Sequence, residues 1–259
     1  VGVVLGVAGV VGIVDMGGGR FLAMVPDRFF AGLDLFPFLA MPFFILAGEI
    51  MNRTGITNNL VKLADALVGW MRGGMAHSNM VASVMFAGIT GAATADAAAF
   101  GNTLVPAMEK NGYTRPFACA VTAAGSIIGP TIPPSTLAVI YGSIMGVSIA
   151  GLFAAGILPG LLICAVCMIL IALNGRRWNL PKSDQKPSLK AVGRAFKESI
   201  LAAILPVFII GSILGGFATP TEAAAIAVAY ALFVGGVIYR ALSWRDMYEI
   251  LVRTTRITG

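Results

Sequence analysis

The chain has 259 residues, of which 58% are apolar and only 12% charged. A soluble domain carries about 25% charged residues, so this composition excludes a single water-soluble globule and points to helices that face lipid. The net charge of +6 is not a nucleic-acid signature, because most of it lies in one short stretch between apolar runs, which is how membrane topology is encoded.

In chain order, residues 1–14 read as the remainder of a span, and 15–20, with their glycine run, as a loop. No cleavable signal peptide is visible, Val1 is not a start Met, and both ends read as truncated. Residues 33–52 form a span with Pro37 and Pro42 near its start. In 55–70, Leu60, Leu63, Ala64 and Leu67 recur at helical spacing with Asn58, Asn59, Lys62 and Asp65 between them. That pattern predicts an amphipathic helix lying along the interface. Gly73 and Gly74 break it. Residues 75–108 follow, with Asp96 as their one carboxylate or basic side chain, and are interrupted near Gly88–Gly91. They have the length of two half-spans, each too short to cross about 30 Å of hydrocarbon.

A polar turn at 109–112 leads to a span over 117–148, broken at 129–135, and then to a span over 149–174. Residues 116–175 contain no Asp, Glu, Lys or Arg. A β-barrel is disfavoured, since its strands would alternate polar and apolar over roughly 10 residues. After the basic loop 176–197 come spans over 199–214 and 221–239, and a second interfacial helix over 242–257 with Trp244 and Tyr248 at headgroup level. The fold class is therefore an all-α polytopic membrane protein.

The basic loop sets the orientation. Arg176, Arg177, Lys182, Lys186, Lys190, Arg194 and Lys197 stand against Asp184, and short loops with this bias face the cytoplasm. Two crossings separate it from the turn at 110–115, which is then cytoplasmic too, so 75–108 enter from the cytoplasm and return as a re-entrant hairpin. The order span, interfacial helix, broken segment over 33–108 begins again at 221–257 as span, interfacial helix. This weak internal repeat is of the kind found in secondary transporters.

The chemistry concentrates in the two breaks. Backbone polar groups in hydrocarbon must be paired, so irregular backbone at membrane depth is tolerated only against protein or a wet cavity. Gly88 and Gly91 permit such a turn, and Thr90, Thr94 and unwound carbonyls offer hard oxygen ligands, as at Na⁺ sites on broken helices. Asp96 has two readings: a cap on the second half-helix, where its charge complements the dipole, or a direct role in a cation or substrate site. Gly129, Pro130, Thr131, Pro133, Pro134 and Ser135 force an interruption in the next span. It reads either as a structural kink or as a discontinuous helix, with Thr131 and Ser135 supplying hydroxyls and a helix start after Pro134 that favours an anion.

Four other features read as structural. Glu49 is expected to reach the interface from the end of its span. Thr219–Glu222 is a helix start with Thr219 as N-cap and Pro220 at the first position. Cys119, Cys164 and Cys167 are expected to be buried structural thiols, the CxxC spacing having nothing polar around it. With one His, His77, there is no zinc site, and His77 is a helix-start or hairpin residue. No GxxxxGK[ST], HExxH or GxSxG motif occurs, which disfavours an ATP-driven pump or a membrane-embedded enzyme.

The runs GITGAATADAAAFGNTLVPAMEKNGY and TAAGSIIGPTIPPSTLAVIYGSIMGVSIAGLFAAGILPG, with PFLAMPFFILAGEIMNRTGITNNLVKLADALVGWMRGG and GGFATPTEAAAIAVAYALFVG, resemble the large permease subunit of tripartite ATP-independent periplasmic (TRAP) transporters. The resemblance covers essentially the whole chain. It implies an elevator-type, Na⁺-coupled importer of an organic acid such as a C4-dicarboxylate or sialic acid, in a bacterial or archaeal inner membrane. No cofactor is implied beyond the coupling ion, and no nucleic acid. The implied partners are a small membrane subunit and a periplasmic substrate-binding protein. Carried onto this sequence, the family's organisation gives scaffold spans over 1–54, an arm helix over 55–74 and half a transport domain over 75–148. That half comprises the hairpin 75–108 and the broken helix 117–148. Then come a transmembrane helix over 149–175, the cytoplasmic loop 176–198, second-repeat scaffold spans over 199–241 and a second arm over 242–259. Na⁺ is expected near Thr90, Thr94 and Ser135. The family's second hairpin and second broken helix would follow this segment. The alternative is a dicarboxylate or anion symporter of similar elevator fold that works without a binding protein.

Overall fold

The computed structural model describes residues 2–17, 22–182 and 188–258. Among the described residues the regular structure is helical: α1 (Gly2–Gly17), α2 (Met24–Leu33), α3 (Ala40–Arg53), α4 (Ile56–Val68), α5 (Gly74–Thr90), α6 (Ala93–Lys110), α7 (Arg115–Ser126), α8 (Thr136–Met145), α9 (Ile149–Asn174), α10 (Leu189–Leu214), α11 (Pro220–Phe233) and α12 (Trp244–Thr258). Among the described residues, three single helical stretches are long and apolar enough to cross a membrane: Ile149–Asn174, Leu189–Leu214 and Pro220–Ile238. The protein is an all-α polytopic membrane protein.

Several boundaries differ from the sequence expectation. Asp15 belongs to α1 rather than to a loop, and residues 18–20 of that expected loop lie outside the described residues. Helix α2 was not expected; its Pro and charged residues dilute the apolar signal. Helix α10 begins at Leu189, so the C-terminal part of the basic stretch is helical. Ser188 caps it by accepting from the Ala191 N–H, a start signal that the surrounding lysines obscure. Lys186 and Asp184 lie outside the described residues. The prolines act as their geometry dictates. Pro37 opens a 3₁₀ turn at Phe36–Leu39 ahead of α3, and Pro42 sits in the first turn of α3, where a missing N–H costs nothing.

The core forms where α3, α5, α10 and α11 meet, around the fully buried Phe44, Ile50, Phe86 and Phe100. Phe86 of α5 and Phe100 of α6 pack ring to ring across the hairpin, with centroids 5.1 Å apart. The spans that precede the two arm helices, α3 and α11, lie against each other. The capping box of α11 is complete: Thr219 Oγ1 accepts from the Glu222 N–H at 3.3 Å, and Glu222 Oε2 accepts from the Thr219 N–H at 2.7 Å.

Each arm is held by a span from the other half of the chain. The Ser199 hydroxyl of α10 donates to the Asn59 carbonyl of α4 at 2.7 Å, and Asn59 Nδ2 donates to the Glu198 carbonyl at 3.3 Å. Helix α12 lies on α3. Leu60, Leu63 and Ala64 of α4 are buried, whereas Leu67 and Trp70 face outward. On α12, Ile250 and Thr254 are buried, and Trp244 and Tyr248 are exposed, the placement of interfacial aromatics.

Cys164 is buried and Cys167 half-buried, but Cys119 lies on the outer face of α7. In a membrane helix an apolar sequence context does not distinguish a protein-facing from a lipid-facing position, so the burial of Cys119 was not legible. Glu49, near the end of α3, is covered by α12. It is 7% exposed, and its carboxylate pairs with Arg253 of α12 at 3.2 Å.

Candidate functional site

The hairpin starts at Gly73, whose φ of +73° turns the chain from the first arm into α5. The Gly73 N–H donates to the Pro181 carbonyl at 2.9 Å, tying this corner to the end of α9. His77, in the first turn of α5, is fully buried. Further along α5, Asn79 Nδ2 donates to the Thr122 hydroxyl of α7 at 2.8 Å. This buried polar pair joins the hairpin to the broken span.

The turn is made by two residues. Gly91 ends α5 with φ +59°, its N–H bonded to the Ala87 carbonyl at 3.2 Å, and the extended Ala92 starts α6. Gly88 is not part of the turn. It lies inside α5, where a Cβ would meet the ring of Pro206 on α10, so its smallness serves helix packing. Helix α7 ends at Ser126, and nine residues of irregular backbone pass before α8 begins at Thr136. The peptide bond between Pro133 and Pro134 is cis. Ser135 caps α8: its hydroxyl accepts from the Ala138 N–H at 3.2 Å and donates to the Pro130 carbonyl at 2.6 Å.

The two breaks meet. The Thr136 hydroxyl donates to the Gly91 carbonyl at 3.1 Å, and the Thr136 N–H points at the same oxygen at 3.4 Å. A Cβ on Gly91 would collide with the Pro134 carbonyl oxygen, and one on Gly129 would collide with Asp96 Oδ2. Hairpin turn and broken span therefore touch backbone to backbone at Gly91–Pro134 and carboxylate to backbone at Asp96–Gly129.

The expected site residues divide as follows. Gly91, Asp96, Gly129, Pro134 and Ser135 come together. Asp96 is fully buried and sits one turn inside α6, whose N-cap is Ala92. Asp96 is thus not the capping residue, although its charge still lies in the first turn, where the helix dipole favours it. Thr94 is exposed at the start of α6. Thr90 closes α5, and its side chain lies outside the described residues. Pro130 receives the Ser135 hydroxyl, and Pro133 is buried in the break. Thr131 turns its hydroxyl back to the Ile127 carbonyl at 2.9 Å, while its own carbonyl faces Gly156 of α9. Thr136 was missed, although a hydroxyl residue directly after a Pro-Pro-Ser cap is a readable signal.

In chemical terms, the arrangement gathers carbonyl oxygens, the hydroxyls of Ser135 and Thr136 and one buried carboxylate around the N-terminus of α8. Hard oxygens of this kind suit a small cation, and the dipole at the N-terminus of α8, although Ser135 caps it, favours negative charge.

Residues 1–259 match the family described as the tripartite ATP-independent periplasmic transporter, DctM component. Three relatives illustrate the similarity. The sialic acid TRAP transporter large permease protein SiaM of Vibrio cholerae is 42% identical over 236 residues, covering 90% of this chain and 54% of the relative. The 2,3-diketo-L-gulonate TRAP transporter large permease protein YiaN of Escherichia coli is 41% identical over 228 residues, 88% of this chain and 53% of its own. The C4-dicarboxylate TRAP transporter large permease protein DctM of Vibrio cholerae is 41% identical over 205 residues, 78% of this chain and 44% of its own. The chain spans about half the length of the first two of these relatives. With the match running from end to end, this chain belongs to the family of the DctM component of tripartite ATP-independent periplasmic transporters.

Proposed function

We propose that this chain is part of the membrane permease of a Na⁺-coupled importer of an organic acid, set in the inner membrane with the basic stretch 176–197 on the cytoplasmic side. The observation that carries this reading is the contact between the hairpin turn at Gly91 and the break at Pro134–Thr136. Two half-helix ends facing each other within the bilayer leave main-chain oxygens for a cation and a positive dipole end for an anion. Na⁺ is held near Thr90, Thr94 and Ser135, with Asp96 supplying negative charge beneath Gly129. The transported class is a carboxylate: the relatives' names specify a sialic acid, a diketogulonate and C4-dicarboxylates, all anions at neutral pH. A small membrane subunit and a periplasmic binding protein complete the tripartite assembly. The hairpin and broken span move together as the carrier half of an elevator against the arms and scaffold.

The test is uptake of labelled C4-dicarboxylate or sialic acid into proteoliposomes holding the intact permease and its small subunit, with an inward Na⁺ gradient. Uptake should require both Na⁺ and the binding protein, and Ser135→Ala or Thr94→Val should raise the Na⁺ concentration for half-maximal rate. Uptake that persists without the binding protein would favour a two-component symporter. Unchanged Na⁺ dependence in both variants would remove this site.

A further inference from the structure

Helix α12 is joined to α3 by a zipper of alternating charge. Arg53 of α3 pairs with Asp246 at 2.5 Å and with Glu249 at 3.2 Å, and Glu49, one turn earlier on α3, pairs with Arg253 at 3.2 Å. The order is antiparallel, with 49 against 253 and 53 against 246 and 249. All three α12 residues fall on one helical face, beside the buried Ile250 and Thr254. The outer pairs sit at the rim and contribute little, since Arg53 is half exposed and solvent screens it. Glu49 is different. Its side chain is 8% exposed under an Arg253 side chain that is 51% exposed, so the covered carboxylate has Arg253 as its compensating charge, and stranding it costs more than removing both charges, by a margin that solvent at Arg253 reduces.

The location gives this pair a role beyond bracing. Gly48, Glu49 and Asn52 of α3, Ile257 of α12, Ala92 of the hairpin turn and Ala95 of α6 border one small cavity of about 10 Å³, room for a single water at most. Glu49 therefore borders the hairpin beside Ala92 and Ala95, and Arg253 holds it from α12. We propose that Glu49 and Arg253 are positioning residues of the carrier: their ion pair fixes α12 on α3 as a stationary post against which the hairpin turn seats. The proposal rests on the carrier reading above. It requires charge complementarity between positions 49 and 253, and neither charge by itself.

The test uses the intact permease in proteoliposomes with its small subunit and binding protein. Arg253→Gln, which strands the buried carboxylate, should cut the maximal uptake rate by about tenfold or more while leaving the KM for the organic acid nearly unchanged. Arg253→Lys, which keeps the charge, should retain most of the rate, and Glu49→Gln/Arg253→Gln should recover much of what the single variant lost. Full uptake in Arg253→Gln, a double variant no better than the single one, or a lysine variant as poor as the glutamine would each overturn the proposal. The same four proteins are then unfolded thermally in detergent, where the double variant should melt above Arg253→Gln. If the unmodified protein shows no uptake, the carrier reading fails by itself, and the melting order still decides whether the pair exists.

Discussion

Gly91 is the residue on which the site geometry turns. Its φ of +59° is one that side-chain-bearing residues rarely adopt, and its Cα lies against the Pro134 carbonyl oxygen. Alanine there adds backbone strain of about 1–3 kcal/mol and forces the two breaks apart. Gly91→Ala should therefore lower both the unfolding midpoint in detergent and Na⁺-dependent uptake, whereas alanine at Gly101, where a Cβ meets nothing, should change neither. A second residue-level prediction concerns Asp246, at the start of the second arm. Hydrogen bonds from the Ser243 hydroxyl and N–H, together with the Arg53 guanidinium, hold its carboxyl down at about 2. A group whose folded pKa is depressed stabilises the fold above its unfolded value, near ~3.9, and loses that contribution as the pH falls through the folded value. The difference in unfolding midpoint between the unmodified protein and Ser243→Ala should hold above roughly pH 4 and narrow towards about pH 2, down to what the Ser243 hydroxyl contributes by accepting from the Asp246 N–H, as followed by thermal scans over that range.

Among the elements, helix starts respond most directly to single changes. Thr219→Ala removes one half of the capping box of α11 and should cost about 1 kcal/mol in an unfolding titration, without altering the Na⁺ concentration for half-maximal uptake. Helix α9 carries Gly156 and Gly160 against the break, the first under the Thr131 carbonyl and the second under Ile132. Gly160→Leu should push the break off α9 and lower both stability and uptake, in line with close small-residue packing between membrane helices. The breaks and the Thr219 cap were legible in the sequence because Gly, Pro and hydroxyl residues act locally, through φ, a missing N–H or a cap. Helix α2 was not legible, because Pro26, Asp27 and Arg28 interrupt its apolar pattern. The fate of Glu49 was not legible either: its partner lies on the last helix described, and no local pattern announces a pairing made by tertiary packing. The site itself was half legible. Sequence marked both interruptions, while their contact through Thr136 and Gly91, and the seat of Asp96 on Gly129, required the three-dimensional arrangement. Gly88 shows the converse, a glycine that looked like a turn and serves as a packing surface for Pro206.

Across the described residues, the amphipathic helices α4 and α12 are each held by a helix from the other half of the chain, α4 by α10 and α12 by α3. The hairpin and broken span form a second group, joined by Asn79–Thr122, Thr136–Gly91 and Asp96–Gly129. Phe86 and Phe100 of the hairpin pack in one core with α3, α10 and α11. The carrier reading's central claim is that the oxygens gathered at the paired breaks bind Na⁺. A ligand that binds only the folded state raises stability with its concentration, so the direct measurement is the thermal unfolding midpoint of the intact permease as NaCl replaces choline chloride at constant ionic strength. The account predicts a midpoint that climbs with Na⁺ and a climb that weakens in Ser135→Ala but survives in Ser148→Ala, which removes a comparable hydroxyl cap from α9. A midpoint indifferent to the exchange of Na⁺ for choline, or an equal response in the two serine variants, would contradict it.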